Sequence, residues 1–283
     1  MLIDIPIDVV YERVVRTLRQ FFKEAGKEKG VVGISGGIDS AVVASISAEA
    51  LGVQNVHGLI MPSPFSTMHS VTDAVELGDN LGITYNIVPI EGIFNKFLRG
   101  MDSLFCEEVK RLTIENLQAR IRANILMAYS NQTGALVLNT SNKSELAMGY
   151  GTIYGDLCGA IMVIADLYKV DIYNLAYYIN SLKAVAVIPD STLTKEPSAE
   201  LSAGQKDSDI LPPYDILDPI LHSLYEKGLS PDELLNSGVD RLVLSRIQQL
   251  QDASNFKVHQ LPQMIQLGNH PLLPLNKCVK LAE

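Results

Sequence analysis

Residues 31–40 read VVGISGGIDS, and residues 41–52 continue as AVVASISAEALG. Val31–Ile34 is a short apolar run of strand type. Ser35-Gly36-Gly37-Ile38-Asp39-Ser40 is small and polar, and the stretch after it is helical in pattern up to Gly52. An apolar run, a glycine turn and a helix form the opening unit of an α/β fold. Glycines between a strand and a helix let backbone N–H groups approach an anion closely, and the helix N-terminus adds partial positive charge. The turn therefore reads as a phosphate cradle. It is not the Walker type, which requires G-x-x-x-x-G-K-[ST], because no lysine follows these glycines. Asp39 stands where a cation would be needed, which suits a Mg²⁺ ion shared between carboxylate and phosphate. A plain turn with an Asp/Ser helix cap is the competing reading. The strand–turn–helix context favours the phosphate site.

Outward from this unit, residues 8–25 (DVVYERVVRTLRQFFKEA) predict an amphipathic first helix. NVHGLIMP predicts a second strand stopped by Pro62, PSPFSTMHS a loop, VTDAVELGDNLG a helix ending at Gly82, and ITYNIVPI a third strand. Two helical segments follow, over 91–104 and 106–131, then a fourth strand at 135–140 and a helix opened by SNKSELAMG. Strands alternating with helices at this spacing predict a doubly wound, Rossmann-like parallel sheet with right-handed crossovers. Ligands bind such sheets at the carboxyl ends of the strands. SGGIDS, MPSPFS and NTSNKSE all lie at such ends. Residues 188–213 are rich in Pro, Ser, Asp and Lys and predict a long mobile loop after an 8–187 core. Helices are expected at 214–227, 231–237 (Ser230 as cap, Pro231 at its first position) and 239–253, within a helical C-terminal extension reaching 260. The 283 residues read as one domain.

Composition bounds the function. Hydrophobic residues make up 47% and charged residues 19%, an ordinary globular balance. The net charge of −9 argues against nucleic-acid or anionic-membrane partners. Cys106, Cys158 and Cys278 are far apart and form no C-x-x-C pair, and the five histidines show no zinc spacing. A reducing, cytoplasmic location fits. The acidic N-terminus lacks a signal-peptide pattern, and no apolar run reaches the ~18–20 residues of a membrane span.

Other motifs carry weaker signals. Thr140 follows the fourth strand and could bond a nucleotide. Glu145 could be a second carboxylate for Mg²⁺, or one half of a capping box at a helix start. Asn116 and Arg120 share a helix face, while Arg122 points elsewhere; the pair suits an anion, or is a solvated face. Tyr150-Gly151-Thr152-Ile153-Tyr154-Gly155-Asp156 offers aromatics for stacking. Lys169 ends an apolar run and could reach phosphate or snorkel. Ser198 sits in the long loop.

The order of these segments is more specific than any one of them. SGGIDS, MPS, NLQAR, NTSNKSELAMGYGTIYGD, DLYK and KEPSAEL…DSDILPPYDILD, spanning about residues 8–260, resemble NAD synthetase. The resemblance implies a fold of the adenine nucleotide alpha-hydrolase type and conversion of deamido-NAD, ATP and ammonia to NAD, AMP and pyrophosphate through an adenylated carboxylate. It implies ATP contacts at Gly33, Ile34, Ser35, Gly36, Gly37, Ile38, Asp39, Ser40, Met61, Thr140, Lys169 and Ser198. The same resemblance implies catalytic roles for Asp39, Lys169 and Ser198, and Mg²⁺ binding by Asp39 and Glu145. Asn116, Arg120, Tyr150, Asp156 and Lys257 match deamido-NAD contacts.

Short ammonia-using members commonly carry Lys where this chain has Ile153 and Asp where it has Ala160. Here YGTIYGDLCGAIMVIADLYK is similar to the synthetase domain of glutamine-dependent enzymes. About 30 residues precede the first strand, against about 100 for a typical domain. Free ammonia is therefore the expected nitrogen donor, with a separate glutaminase as an alternative partner. A homodimer is expected, because Leu112, Ile114, Leu117, Ile121, Ile125 and Leu126 exceed one helical face.

Overall fold

The computed structural model describes residues 2–105 and 107–280. Cys106, read above as part of a helical stretch, lies outside the described residues. The chain runs α1 (Ile7–Glu24), β1 (Gly30–Gly33), α2 (Ile38–Leu51), β2 (Val56–Ile60), α3 (Met68–Leu81), β3 (Thr84–Ile87), α4 (Glu91–Met101) and α5 (Arg111–Thr133). It continues through β4 (Leu136–Asn139), α6 (Lys143–Met148), β5 (Ile161–Met162), α7 (Lys169–Ser181) and α8 (Asp190–Thr194). α9 (Tyr214–Tyr225), α10 (Pro231–Asn236), α11 (Arg241–Ser254), β6 (Gln263–Ile265) and β7 (Cys278–Val279) complete it.

The seven strands form one sheet in the order β3-β2-β1-β4-β5-β6-β7, every pair parallel. β1 is the hinge of the topology. Gly30 registers with Val56 on one side and Leu136 on the other, so the strand order reverses there. A crevice opens outside the carboxyl ends of strands at such a reversal. The alternation of β1 sends Val32 to one face and Val31 to the other. Val32 packs with α1, α2 and α7 residues, including Leu18, Val42 and Leu175. Val31 packs with Ile121 of α5 and Phe94 of α4. α2 is apolar around its whole circumference because α1 and α7 cover the side away from the sheet.

Several expectations need correction. The first helix of the pair after β3 stops at Met101, and the second starts at Arg111, not 106. Lys110 has extended backbone (ψ 143°), so the helical turn cannot begin before it. Residues 261–280 are not only a tail beyond the helices, because β6 and β7 rejoin the sheet. Strands of three and two residues are too short to show a period; pairing with Ile161 and Met162 makes β6 a strand, and pairing with Met264 and Ile265 makes β7 one. The segment 188–213 contains α8 and a tight turn at Asp207–Asp209. In α5, Ile114, Leu117, Ile121, Ile125 and Leu126 pack in their own core, so Leu112, 66% exposed, is the outward member of the set named for the dimer. Among the described residues no helix is long and apolar enough to cross a membrane.

Candidate functional site

The SGGIDS turn leaves β1 and enters α2 as the sequence predicts. Gly36 has a left-handed φ of 80°, and a Cβ there would lie 2.1 Å from the Ser70 carbonyl oxygen, so only glycine fits. Ser40 Oγ accepts from the Ser35 amide at 3.2 Å and donates to the Gly37 carbonyl at 2.9 Å, which closes the turn. Gly37 is the N-cap of α2, and no side chain caps the helix. The first amides of α2 are thus left for an anion.

Beside this turn three charged groups meet. Lys169, the first residue of α7, donates from Nζ to Asp39 Oδ2 at 2.6 Å and to Glu145 Oε1 at 3.3 Å. Asn142 Nδ2 holds the other Asp39 oxygen at 2.8 Å. Asn142 also caps α6: its Oδ1 accepts from the Glu145 amide at 3.0 Å, and its own amide donates to Glu145 Oε2 at 3.4 Å. The two readings of Glu145 are therefore compatible, one oxygen serving the capping box and the other facing Lys169. Burial pushes the Glu145 carboxyl up to about 8, partly offset by the Lys169 ammonium. Burial pulls Lys169 down, but Asp39 and Glu145 outweigh it and hold the ammonium above its ordinary value.

The donor set fits Mg²⁺. Asp39 and Glu145 present two hard carboxylates beside a phosphate-sized turn, and Mg²⁺ is commonly held by one or two carboxylates together with substrate phosphates. Among the described residues no three His, Cys, Asp or Glu side chains converge as a protein-only metal cage.

A cavity of about 290 Å³ opens over this cluster at the β1/β4 reversal. Of the expected residues, Gly33, Ile34, Ser35, Gly37, Ile38, Asp39 and Ser40 line it from the turn. Met61, Thr140, Glu145 and Lys169 line it from the neighbouring strand ends and α6–α7. Tyr150, Asp156 and Ser198 close it from above. Gly36 is not in the lining, because its α-carbon faces Ser70.

Asn116, Arg120 and Lys257 are not among the lining residues and instead bind the 149–153 turn. Asn116 Oδ1 accepts from Thr152 Oγ1 at 2.7 Å, and Arg120 Nε donates to the Ile153 carbonyl at 3.3 Å. Lys257 Nζ donates to the Gly149 and Gly151 carbonyls, both at 2.8 Å. Arg122 does diverge from Arg120, and it enters the cavity lining, where Nε donates to the Met61 carbonyl at 2.9 Å. Burial raises the Asp156 carboxyl, which accepts from the Thr152 amide and faces the cavity.

Residues 190–207 form a strap over the mouth. Lys195 Nζ bonds Asp73 Oδ2 at 2.8 Å, and Ser191 Oγ donates to Asp73 Oδ1 at 2.6 Å. Glu200, at a left-handed φ of 47°, accepts from Thr67 Oγ1 at 2.9 Å and Ser70 Oγ at 2.7 Å. Asp207 accepts from the Tyr150 hydroxyl at 3.2 Å and the Tyr214 hydroxyl at 2.9 Å. Sequence reasoning missed Asn142, Asp207, Tyr214 and Arg122. For Arg122 a signal existed: α5 is buried on one side, and a second arginine two residues from the first must face another way.

The NAD synthase family profile matches residues 10–261. The glutamine-dependent NAD(+) synthetase of Thermotoga maritima is 43% identical over 251 residues, covering 89% of this chain and 44% of that protein. That of Synechocystis is 46% identical over 251 residues, covering 89% and 45%. The chain thus spans about half the length of the curated relatives it matches. Among solved structures, NH3-dependent NAD synthetase from Campylobacter jejuni is 30% identical with a TM-score of 0.73, covering 93% of this chain and 100% of that one. NMN synthetase from Francisella tularensis is 29% identical with a TM-score of 0.78, covering 95% and 100%. A sheet that reverses at β1, a lysine-free glycine turn and a profile match over most of its length agree: the chain belongs to the NAD synthase family.

Proposed function

We propose that the protein is an ATP-dependent, amide-forming ligase that converts deamido-NAD and ammonia to NAD, with AMP and pyrophosphate as the other products. The observation that carries this reading is the Lys169–Asp39–Glu145 cluster beside the uncapped start of α2, inside one cavity. A carboxylate oxygen of the substrate attacks the α-phosphorus of ATP, and the bond to pyrophosphate breaks. Ammonia then attacks the acyl carbon, AMP departs, and the nitrogen loses a proton. The α2 amides and Ser35 hold the leaving pyrophosphate, and Lys169 stabilises charge that builds on the phosphoryl oxygens. When bound, Mg²⁺ held by Asp39 and Glu145 would neutralise the pyrophosphate. Thr140, Met61 and Ser198 position ATP; Tyr150 and Asp156 face the pyridine end. Asn116, Arg120 and Lys257 support that end by fixing the 149–153 turn. No side chain is required as a covalent nucleophile.

Free ammonia is the proposed nitrogen donor of this domain, and glutamine serves only through a glutaminase domain or subunit. Glutamine hydrolysis needs an activated thiol, whereas burial raises both Cys158 and Cys278. A cytoplasmic location and a homodimer belong to the same reading. Exposed Ile93, Phe97, Leu112 and Met127 on α4 and α5 offer the apolar surface for a second copy.

A second reading changes only the substrate, to nicotinate mononucleotide, with NMN as product. It is favoured by the likeness to a full-length NMN synthetase and by Ile153 and Ala160 in the substrate turn. Incubation with ATP, Mg²⁺, ammonium and either nucleotide decides between them. The expected product is NAD from deamido-NAD. NMN alone would select the second reading, and neither product would reject both. Light scattering with a monomer mass at full activity would reject the dimer.

A further inference from the structure

Three cationic side chains line the cavity: Arg122, Lys169 and Lys195. Lys169 is neutralised by Asp39 and Glu145, and Lys195 by Asp73 at 2.8 Å. Among the described residues Arg122 pairs with no carboxylate. Its one hydrogen bond runs from Nε to the Met61 carbonyl at 2.9 Å, which leaves both terminal nitrogens of the fork without a protein acceptor. Arg122 is half-buried on α5, and it lines the cavity. Burial draws it down to about 10, with Asp156 and Glu200 opposing the fall. A partly desolvated cation without a counter-ion favours an anion that joins it.

Its position separates it from the phosphate turn. α5 packs on the β1 face that carries Val31, whereas α7, which begins at Lys169, packs on the face that carries Val32. Arg122 and Lys169 thus reach the cavity from opposite faces of the sheet. Arg122 arrives at the end of β2, and Lys169 beyond the ends of β4 and β5.

We propose that Arg122 receives a phosphate oxygen of a bound nucleotide, at a point distinct from the pyrophosphate site on the SGGIDS turn. A planar fork with two free N–H₂ groups matches two phosphate oxygens, which a lysine cannot do. This rests on the nucleotide-ligase reading above. The oxygen comes either from ATP at its α-phosphate or from the pyridine nucleotide, and the test separates the two.

The experiment measures calorimetric binding of AMP, nicotinate mononucleotide and inorganic pyrophosphate to the whole chain with Mg²⁺, for the parent, R122Q and R122K. R122Q should weaken one nucleotide by about tenfold or more, the scale of one charge-assisted bidentate contact. Pyrophosphate should stay within about twofold. R122K should fall between the two. Loss confined to AMP assigns the α-phosphate, and loss confined to nicotinate mononucleotide assigns the pyridine substrate. Nucleotide affinities unchanged in R122Q would overturn the proposal. So would pyrophosphate affinity falling in step with the nucleotides, which marks a distorted Met61 segment instead. A parent chain that binds neither nucleotide overturns it as well. If R122Q does not fold, R122K decides by the same two ratios. A parent that binds AMP but makes no amide rejects the ligase reading and leaves the Arg122 comparison readable.

Discussion

Asn142 and Glu145 cap α6 reciprocally, and the cap engages only one of the two Glu145 carboxylate oxygens. The other lies 3.3 Å from Lys169 Nζ. Helix stability and chemistry are therefore separable at one residue. Glu145→Gln keeps an acceptor for the Asn142 amide and removes the charge. It should melt within a few degrees of the parent and lose about 10²-fold or more in ATP-dependent pyrophosphate release. Glu145→Ala should lose the same activity and also about 0.5–2 kcal/mol of stability. A Gln variant with near-normal pyrophosphate release would remove Glu145 from the chemistry.

Lys143 is buried and bonds Asp166 at 2.9 Å, Glu226 at 2.7 Å and the His270 carbonyl at 3.0 Å, joining α6 to α9 and the C-terminal segment. Lys143→Met strands the Asp166 charge in the interior. A loss of about 3–5 kcal/mol is expected in urea unfolding. Adding Glu226→Gln should return part of it. A loss below ~1 kcal/mol would mean that water reaches this cluster.

The strap should respond to ligand. Its anchors are polar: Lys195 and Ser191 to Asp73, Glu200 to the start of α3, Asp207 between two tyrosines, Thr192 to the Gly36 carbonyl and Gln118 to the Leu201 carbonyl. Glu200→Ala should speed protease cleavage within 190–207, and ATP with deamido-NAD should slow cleavage of the parent. Cleavage patterns indifferent to both changes would show that the strap does not open.

Asp218 supplies a pH test. It is fully buried and accepts from Ser144 Oγ at 2.6 Å and the Val170 amide at 2.9 Å, yet burial pushes its carboxyl up to about 6. An unfolded aspartate titrates near about 4. The folded chain thus holds more protons between these values, and this group's contribution falls as pH rises from about 4 to about 6. The decline is on the order of 2–3 kcal/mol. Asp218→Asn does not titrate, so its stability relative to the parent should climb across that window. Parallel stability curves from about pH 4 to about pH 7 would contradict the raised carboxyl.

What the sequence made legible was whatever is encoded locally. The 31–52 stretch shows a strand, a glycine turn and a helix because each has its own period or punctuation, and Ser230-Pro231 marks the start of α10 in the same way. The candidate site residues on that unit, and Thr140 and Glu145 after the fourth strand, lie at strand ends as the parallel topology predicts, whereas Lys169 as an ATP contact rests on the family resemblance. β5, β6 and β7 were not legible, because two or three residues become strands only through their neighbours. The strap reads as loop for a similar reason: its order comes from Asp73, Thr67 and Tyr150, which are distant in sequence. The divergence of Arg122 from Arg120 is legible, but its place in the cavity is not, because a charged side chain on a long helix reads as solvated until the helix is docked.

Ser70 is touched from both sides. Its hydroxyl donates to Glu200 of the strap, and its carbonyl oxygen lies where a side chain on Gly36 would stand. α3 thus touches the strap at one contact and the phosphate turn at another, and Thr192 of the strap bonds the Gly36 carbonyl directly. A strap that lifts away removes an acceptor from the first turn of α3 and loosens the surface against which Gly36 is shaped. Closure and phosphate capture then share one free energy. If ATP tightens the turn, the strap should become harder to lift, and by thermodynamic reciprocity a fixed strap should raise the affinity for ATP by the same factor.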